Sequence, residues 1–151
     1  EIMADLTVTI TEAVTLEGEA QGATNTLTVA DITQTMKRIV KCTNSATTTI
    51  ATFAAAVSTS VGAIDVGDAK YVRVTNLDAS NSVKLGVVGT SDNYQVNLMP
   101  KTSHILPSTA AVLLGEIDTT PAYGTLEDLA SLEIRNVAGA VVAIELFVAS
   151  V

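Results

Sequence analysis

The sequence predicts an all-β domain, a single antiparallel β-sandwich or jelly-roll-like barrel over residues 1–151 with at most one or two short helical turns. Two observations predict it. Apolar side chains recur with period two along most of the chain, which places them on one face of a strand. The segments that do so are short, and Gly, Asn, Asp, Ser and Pro separate them.

Leu6, Val8 and Ile10 alternate with Thr7, Thr9 and Thr11, the pattern of a half-buried strand. Thr24-Asn-Thr-Leu-Thr-Val29 repeats it with Leu27 and Val29 inward. Residues 36–43 and 47–53 are rich in β-branched side chains and read as paired strands. Residues 54–64 are ambiguous: the Ala run suits a helical turn, the Ser and Gly around it a loop or irregular edge. Lys70-Tyr-Val-Arg-Val-Thr75 is a strand with Val72 and Val74 on one face. Asn76-Leu-Asp-Ala-Ser-Asn81 is turn chemistry, where Asn and Asp bond back to their own backbone, and Val83, Leu85 and Val87 mark the returning strand. Gly89-Thr-Ser-Asp-Asn93 turns the chain into Tyr94, Val96 and Leu98, and Pro100 stops that strand.

Residues 103–106 and 111–114 read as short strands around Pro107, and Thr125-Leu-Glu-Asp128 resembles a capping box for one helical turn. Leu132 and Ile134 alternate with Glu133 and Arg135, residues 137–140 read as a hairpin turn, and Val142, Ile144, Leu146 and Val148 make the last inward face. Opposite them stand Val141, Ala143, Glu145 and Phe147. A strand apolar on both faces is either central in a core or pressed against a neighbouring subunit; the scarcity of charge elsewhere favours the subunit. No repeat of fixed period stands out, and no linker divides the chain.

A chain of 151 residues buries roughly 68–70% of its unfolded surface, so it needs neither metal nor disulfide to be stable. Charged residues are only 16% of it, against about 25% on average. Either much of the surface faces other protein, since interface cores are depleted of charge, or the many Thr and Ser hydroxyls suffice for a β-protein. A net charge of −8 and a pI of about 4.4 argue against a phosphate-backbone partner. The one dense basic run, Lys37, Arg38 and Lys41, splits across a strand, with Lys37 and Lys41 on one face and Arg38 on the other. No nucleic-acid partner is expected. Residues 137–151, the most apolar stretch, are too short to span a bilayer and carry Glu145. The opening Glu1-Ile-Met-Ala-Asp5 lacks the ordered regions of a secretory signal, and Met3-Ala-Asp reads as a start. No membrane partner is expected either.

The residues available for chemistry point away from catalysis. His104 is the only histidine and Cys42 the only cysteine, too few for a zinc site. His104 follows Pro100-Lys-Thr-Ser103 with no Gly-x-Ser-x-Gly elbow, and it reads as a hydrogen-bonding side chain. Cys42 reads as a small buried residue beside Val40 and Ile39. Glu17 with Glu19, Asp65 with Asp68, and Glu127 with Asp128 are carboxylate pairs read as surface charges. Asp65-Val-Gly-Asp68 and Ser91-Asp-Asn93 offer oxygens to Ca²⁺ but lack the twelve-residue loop that specifies it. No phosphate-cradling Gly motif occurs, and aromatics are only 3%, which disfavours sugar stacking. No catalytic residue, cofactor or metal is expected.

Lys70-Tyr-Val-Arg-Val-Thr-Asn-Leu-Asp78, Asn81-Ser-Val-Lys-Leu85 and Leu98-Met-Pro-Lys-Thr-Ser-His-Ile-Leu106 resemble small virion structural proteins of tailed bacteriophages, and Ala4-Asp-Leu-Thr-Val-Thr-Ile10 has the same character. Lys101 stands where such proteins usually carry Gly after the Pro. The resemblance implies a head decoration (cement) protein on the capsid surface, β-rich and often trimeric, whose partners are the major capsid protein and copies of itself. A tail, neck or fibre component is its nearest rival. A carbohydrate-binding or adhesion module using residues 76–81 and 89–93 is the reading from another class. The residues expected at the assembly interface are Val141, Ala143 and Phe147 of the terminal strand, with Leu6 and Val8 of the first.

Overall fold

A computed structural model describes residues 2–151; Glu1, where the reading of the N-terminus begins, lies outside the described residues. Thirteen strands and one short 3₁₀ turn, Val57–Thr59, follow in chain order. The strands are β1 (Ala4–Thr11), β2 (Thr15–Leu16), β3 (Glu19–Ala20), β4 (Thr24–Ile32), β5 (Gln34–Cys42), β6 (Ala46–Ala54) and β7 (Ile64–Asp65). Then come β8 (Ala69–Asn76), β9 (Val83–Gly89), β10 (Asn93–Leu98), β11 (Ser103–Leu106), β12 (Leu129–Asn136) and β13 (Val142–Ser150). The chain is all-β, as its period-two patterning predicts.

Two sheets make a sandwich. A five-stranded sheet has the order β10-β9-β12-β6-β7 and a four-stranded sheet the order β11-β8-β13-β5. Every pairing in them is antiparallel except the short β6–β7 contact. Between them lies one continuous core. Val83, Leu85, Val87, Leu132 and Ile134 from the larger sheet meet Val72, Val74, Ile144, Leu146 and Val148 from the smaller. The four inward residues expected of the last strand are all buried, because β13 is central between β5 and β8.

Strand positions were readable in the sequence; their pairing was not. Residues 36–43 and 47–53 do not pair: β5 lies in the four-stranded sheet and β6 in the five-stranded one. In the same way β8 and β9, and β12 and β13, are joined by turns that cross from one sheet to the other, so residues 76–81 and 137–140 are corners and not in-sheet hairpins. Among the described residues of the two large sheets, only residues 90–92 close a hairpin within one sheet, between β9 and β10. Two further elements differ. Residues 111–114 form no strand but a single bridge, Leu113 to Glu127. Residues 125–128 form no helical turn, because both carboxylates are recruited elsewhere. Glu127 accepts the Asp92 N–H at 2.8 Å and the Ser91 N–H at 3.1 Å, while Asp128 Oδ1 accepts the Ala111 N–H at 2.9 Å.

The corners are built alike. Asn76 ends β8 and Asn136 ends β12, and both are fully buried. Asn136 Oδ1 accepts the N–H of Ala138 at 2.9 Å, and its Nδ2 donates to the carbonyls of Ala140 and Cys42, both at 2.8 Å. Asn76 Oδ1 accepts the N–H of Asp78 at 3.0 Å, and its Nδ2 donates to the carbonyls of Asn81 at 2.8 Å and Leu98 at 3.0 Å. Cys42 and Leu98 are the last residues of β5 and β10, each in the sheet opposite its asparagine. One side chain thus closes the turn and ties the two sheets. Val74-Thr-Asn76 and Ile134-Arg-Asn136 carry the same apolar-polar-Asn signature, an internal echo without a fixed period.

Residues 4–32 form an arm outside the sandwich. Strands β1 and β4 pair only with each other, through Leu6↔Val29, Val8↔Leu27 and Thr9↔Thr26 among others, and the hairpin continues through β2 and β3. At its tip Glu17 and Gly18 both take positive φ, 52° and 84°, as a two-residue turn matched to strand twist requires. Gly22 is needed lower down, where a Cβ would lie 1.9 Å from the Glu12 carbonyl oxygen. At the root Ile32 is buried, and the Thr33 N–H donates to the Ser150 carbonyl at 2.9 Å.

Candidate assembly surface

The expected hydrogen-bonding role of His104 is what the structure shows. His104 on β11 and Tyr94 on β10 face inward from the two edge strands at the same side of the sandwich. Tyr94 Oη and His104 Nε2 are 3.0 Å apart, and the rings meet edge-to-face with centroids 5.9 Å apart. The pair stitches the sheets together where no backbone ladder does. Burial pushes the imidazole pKa down and the phenol pKa up, so a neutral ring and a neutral phenol share this hydrogen bond.

A pH dependence follows from this depressed value. The unfolded chain protonates His104 at higher pH than the folded one, so its contribution to stability is complete above about 6.5 and declines as the pH falls below it. Thermal unfolding at pH 7.5 and 5.5 is expected to show a drop that shrinks in His104→Asn; an equal drop in both proteins would remove His104 from the account. Tyr94→Phe is expected to cost about 1 kcal/mol at neutral pH, the net worth of one such bond.

Several other chemical candidates are occupied structurally. The Cys42 side chain is fully buried and its thiol pKa is raised by that burial. Asp65 Oδ1 accepts the Gly67 N–H at 2.8 Å. Glu127 ties the 107–128 loop to the β9–β10 turn, and Asp128 closes that loop on itself through Ala111. Asp78 Oδ1 accepts the N–H groups of Ser80 at 2.8 Å and Asn81 at 2.7 Å, which hold its carboxyl below the usual range. Among the described residues no group of three or more His, Cys, Asp or Glu side chains is gathered as a metal site. No helix among them is long and apolar enough to cross a membrane.

What remains is surface, and the interface residues expected from sequence fall on it unevenly. Leu6 and Val8 of the arm join Tyr71, Ile105, Phe147 and Ala149 in a small second core on the outer face of the four-stranded sheet. Tyr71 and Phe147 meet edge-to-face at 6.1 Å. Phe147 is therefore covered first by its own chain's arm. Ala143 lies on the same face of β13, half-buried and nearer the corner, and Val141 sits in the corner loop at 55% exposure. Between Ala143 and Phe147, Glu145 is held by Arg73 Nη2 at 2.6 Å and Lys37 Nζ at 3.5 Å, and these cations keep its carboxyl below the usual range.

Two features were missed from sequence. One is the arm beyond this second core, where residues 11–28 are exposed without exception and Val14 and Leu16 reach 55% and 63% exposure. The other is the outer face of β5, where Ile39 is 58% exposed between Lys37 and Lys41. The signal for the first was the Val14-Thr-Leu16 alternation around Glu17-Gly18, a hairpin pattern. No protein-family model matches the chain, and no curated protein matches it at a significant level.

Proposed function

We propose that this is a structural virion protein, a decoration protein that binds and stabilises the head lattice of a tailed phage, with the major capsid protein and copies of itself as partners. The observation that carries the reading is the arm. A β-hairpin whose apolar stripe outruns its own docking site, with Val14 55% and Leu16 63% exposed, is shaped for contact with another chain. Isolated two-stranded hairpins are marginal in water, so such an arm gains order when a neighbour covers it.

The rest of the molecule supports an assembling role over a catalytic one. The only histidine is committed to Tyr94, and within residues 76–81 the Asn76 amide and Asp78 Oδ1 bond the loop's own backbone. The same commitment weakens the carbohydrate-binding alternative at that loop. Mixing the purified protein with undecorated heads and sedimenting them tests the proposal. Co-sedimentation at micromolar concentration is expected, and its absence overturns the reading. Imaging of intact particles separates the head surface from the tail, neck or fibre alternative.

A further inference from the structure

The arm and the β5 face are complementary, and they cannot meet within one chain. Residues 2–36 contain Asp5, Glu12, Glu17, Glu19 and Asp31 and no Lys or Arg. At the tip, carboxylates flank the exposed Val14 and Leu16. The β5 strip has the opposite make-up: Lys37 and Lys41 flank the exposed Ile39 on one face, and Thr35 continues it. From its root beside Ser150 the arm passes over Tyr71 and Phe147, and its Ile10 and Leu27 reach Ile105 on β11. In the order β11-β8-β13-β5, that is the edge farthest from the strip.

We propose that the acidic tip of one copy, residues 12–23, docks on the Lys37-Ile39-Lys41 strip of a second copy. Val14 and Leu16 cover Ile39 while the tip carboxylates face the two ammonium groups. Strand β5 is an edge strand nine residues long with one side of its backbone unpaired, and an edge of that length invites a covering partner. Because donor and acceptor surfaces lie on opposite edges of one sheet, the contact is head-to-tail, and repetition of it closes a ring when the rotation allows. This deepens the assembly reading above and rests on it, since it names the second partner as the same chain.

The experiment is solution mass by light scattering on the full chain, with no heads present. Wild type is expected as a multiple of the 15.6 kDa chain. Glu12→Lys/Glu17→Lys/Glu19→Lys, which alters only exposed tip residues, is expected to weaken association at least about tenfold. Lys37→Glu/Lys41→Glu is expected to do the same, and combining both sets in one chain is expected to restore assembly. Lys37 also pairs with Glu145, which lies opposite Ile39 in register, so Ile39→Ser, which removes the apolar contact without adding a charge beside that pair, provides an independent disruption of the strip. A wild type that is monomeric at micromolar concentration overturns the docking, as do variants that assemble like wild type or a combined variant that stays dissociated. Head sedimentation is read separately. A monomer that still sediments with heads loses this contact and keeps the decoration role, whereas an assembling protein that ignores heads does the reverse.

Discussion

Asn136→Ala is expected to lower the unfolding free energy by about 3 kcal/mol, because it removes one side chain and orphans three backbone groups. The Cys42 and Ala140 carbonyls lose their donor and the Ala138 N–H loses its acceptor. Cys42 is fully buried, so water does not reach that site cheaply. An unsatisfied buried group costs roughly 1–3 kcal/mol, and the more exposed Ala140 carbonyl sits at the low end. For a chain of this size the loss corresponds to a fall of about 6–12 °C in Tm. Asn136→Asp is the informative companion. It keeps the acceptor for Ala138 but points a second carboxylate oxygen at two carbonyl oxygens, and a loss at least as large is expected. Asn76→Ala should behave like Asn136→Ala, since its bonds to Asn81, Leu98 and Asp78 repeat the arrangement. Thermal unfolding followed by circular dichroism decides the matter. Wild-type stability in both alanine variants would mean that the corners are held by something else.

The asparagines also show where the sequence stops being legible. Side-chain alternation is a local property, fixed by the two-residue repeat of a strand, so the inward faces at Val72 and Val74, at Val83, Leu85 and Val87, and at Val142, Ile144, Leu146 and Val148 can be read without knowing any partner. Pairing is non-local. A turn such as residues 76–81 reads the same whether it returns the chain to its own sheet or carries it to the opposite one. What decides is whether the asparagine's amide reaches a strand end in the other sheet, as Asn136 does at Cys42 and Asn76 at Leu98. The failed helical turn at residues 125–128 has the same origin. Locally Thr125 and Asp128 suit a cap, but Glu127 and Asp128 find the N–H groups of Ser91, Asp92 and Ala111, far along the chain.

Phe147 is expected at an assembly interface because it stands on the second apolar face of the last strand, and Leu6 and Val8 as the apolar face of the first; the structure packs all three together within one chain. That the first cover is the same chain's arm depends on a three-dimensional crossing which no spacing encodes. Lys101 is a smaller case. Its φ of 60° is a conformation that glycine adopts with least strain, and the lysine occupies it while its Nζ donates to the Leu77 carbonyl.

The two faces of β13 are expected to respond differently to truncation, and adjacent residues provide the contrast. Leu146 is fully buried in the main core between Arg38 and Val74 in register, so Leu146→Ala loses its transfer free energy and leaves a cavity in a strand fixed by ladders on both sides. A loss of roughly 3–5 kcal/mol is expected, among the largest for any single change in the chain. Phe147, one residue on, contacts the arm's second core and is only half-buried. Phe147→Ala is expected to cost the sandwich less while loosening the arm, because Leu6 and Val8 lose the ring against which they pack. Global unfolding reads the first effect. Limited proteolysis within residues 4–32 reads the second, with faster cleavage expected in Phe147→Ala than in wild type under conditions where both sandwiches remain folded. Equal cleavage would show that Ile32 and the bond from the Thr33 N–H to Ser150 hold the arm without Phe147. Faster cleavage would establish that the outer face of β13 governs how the arm is held.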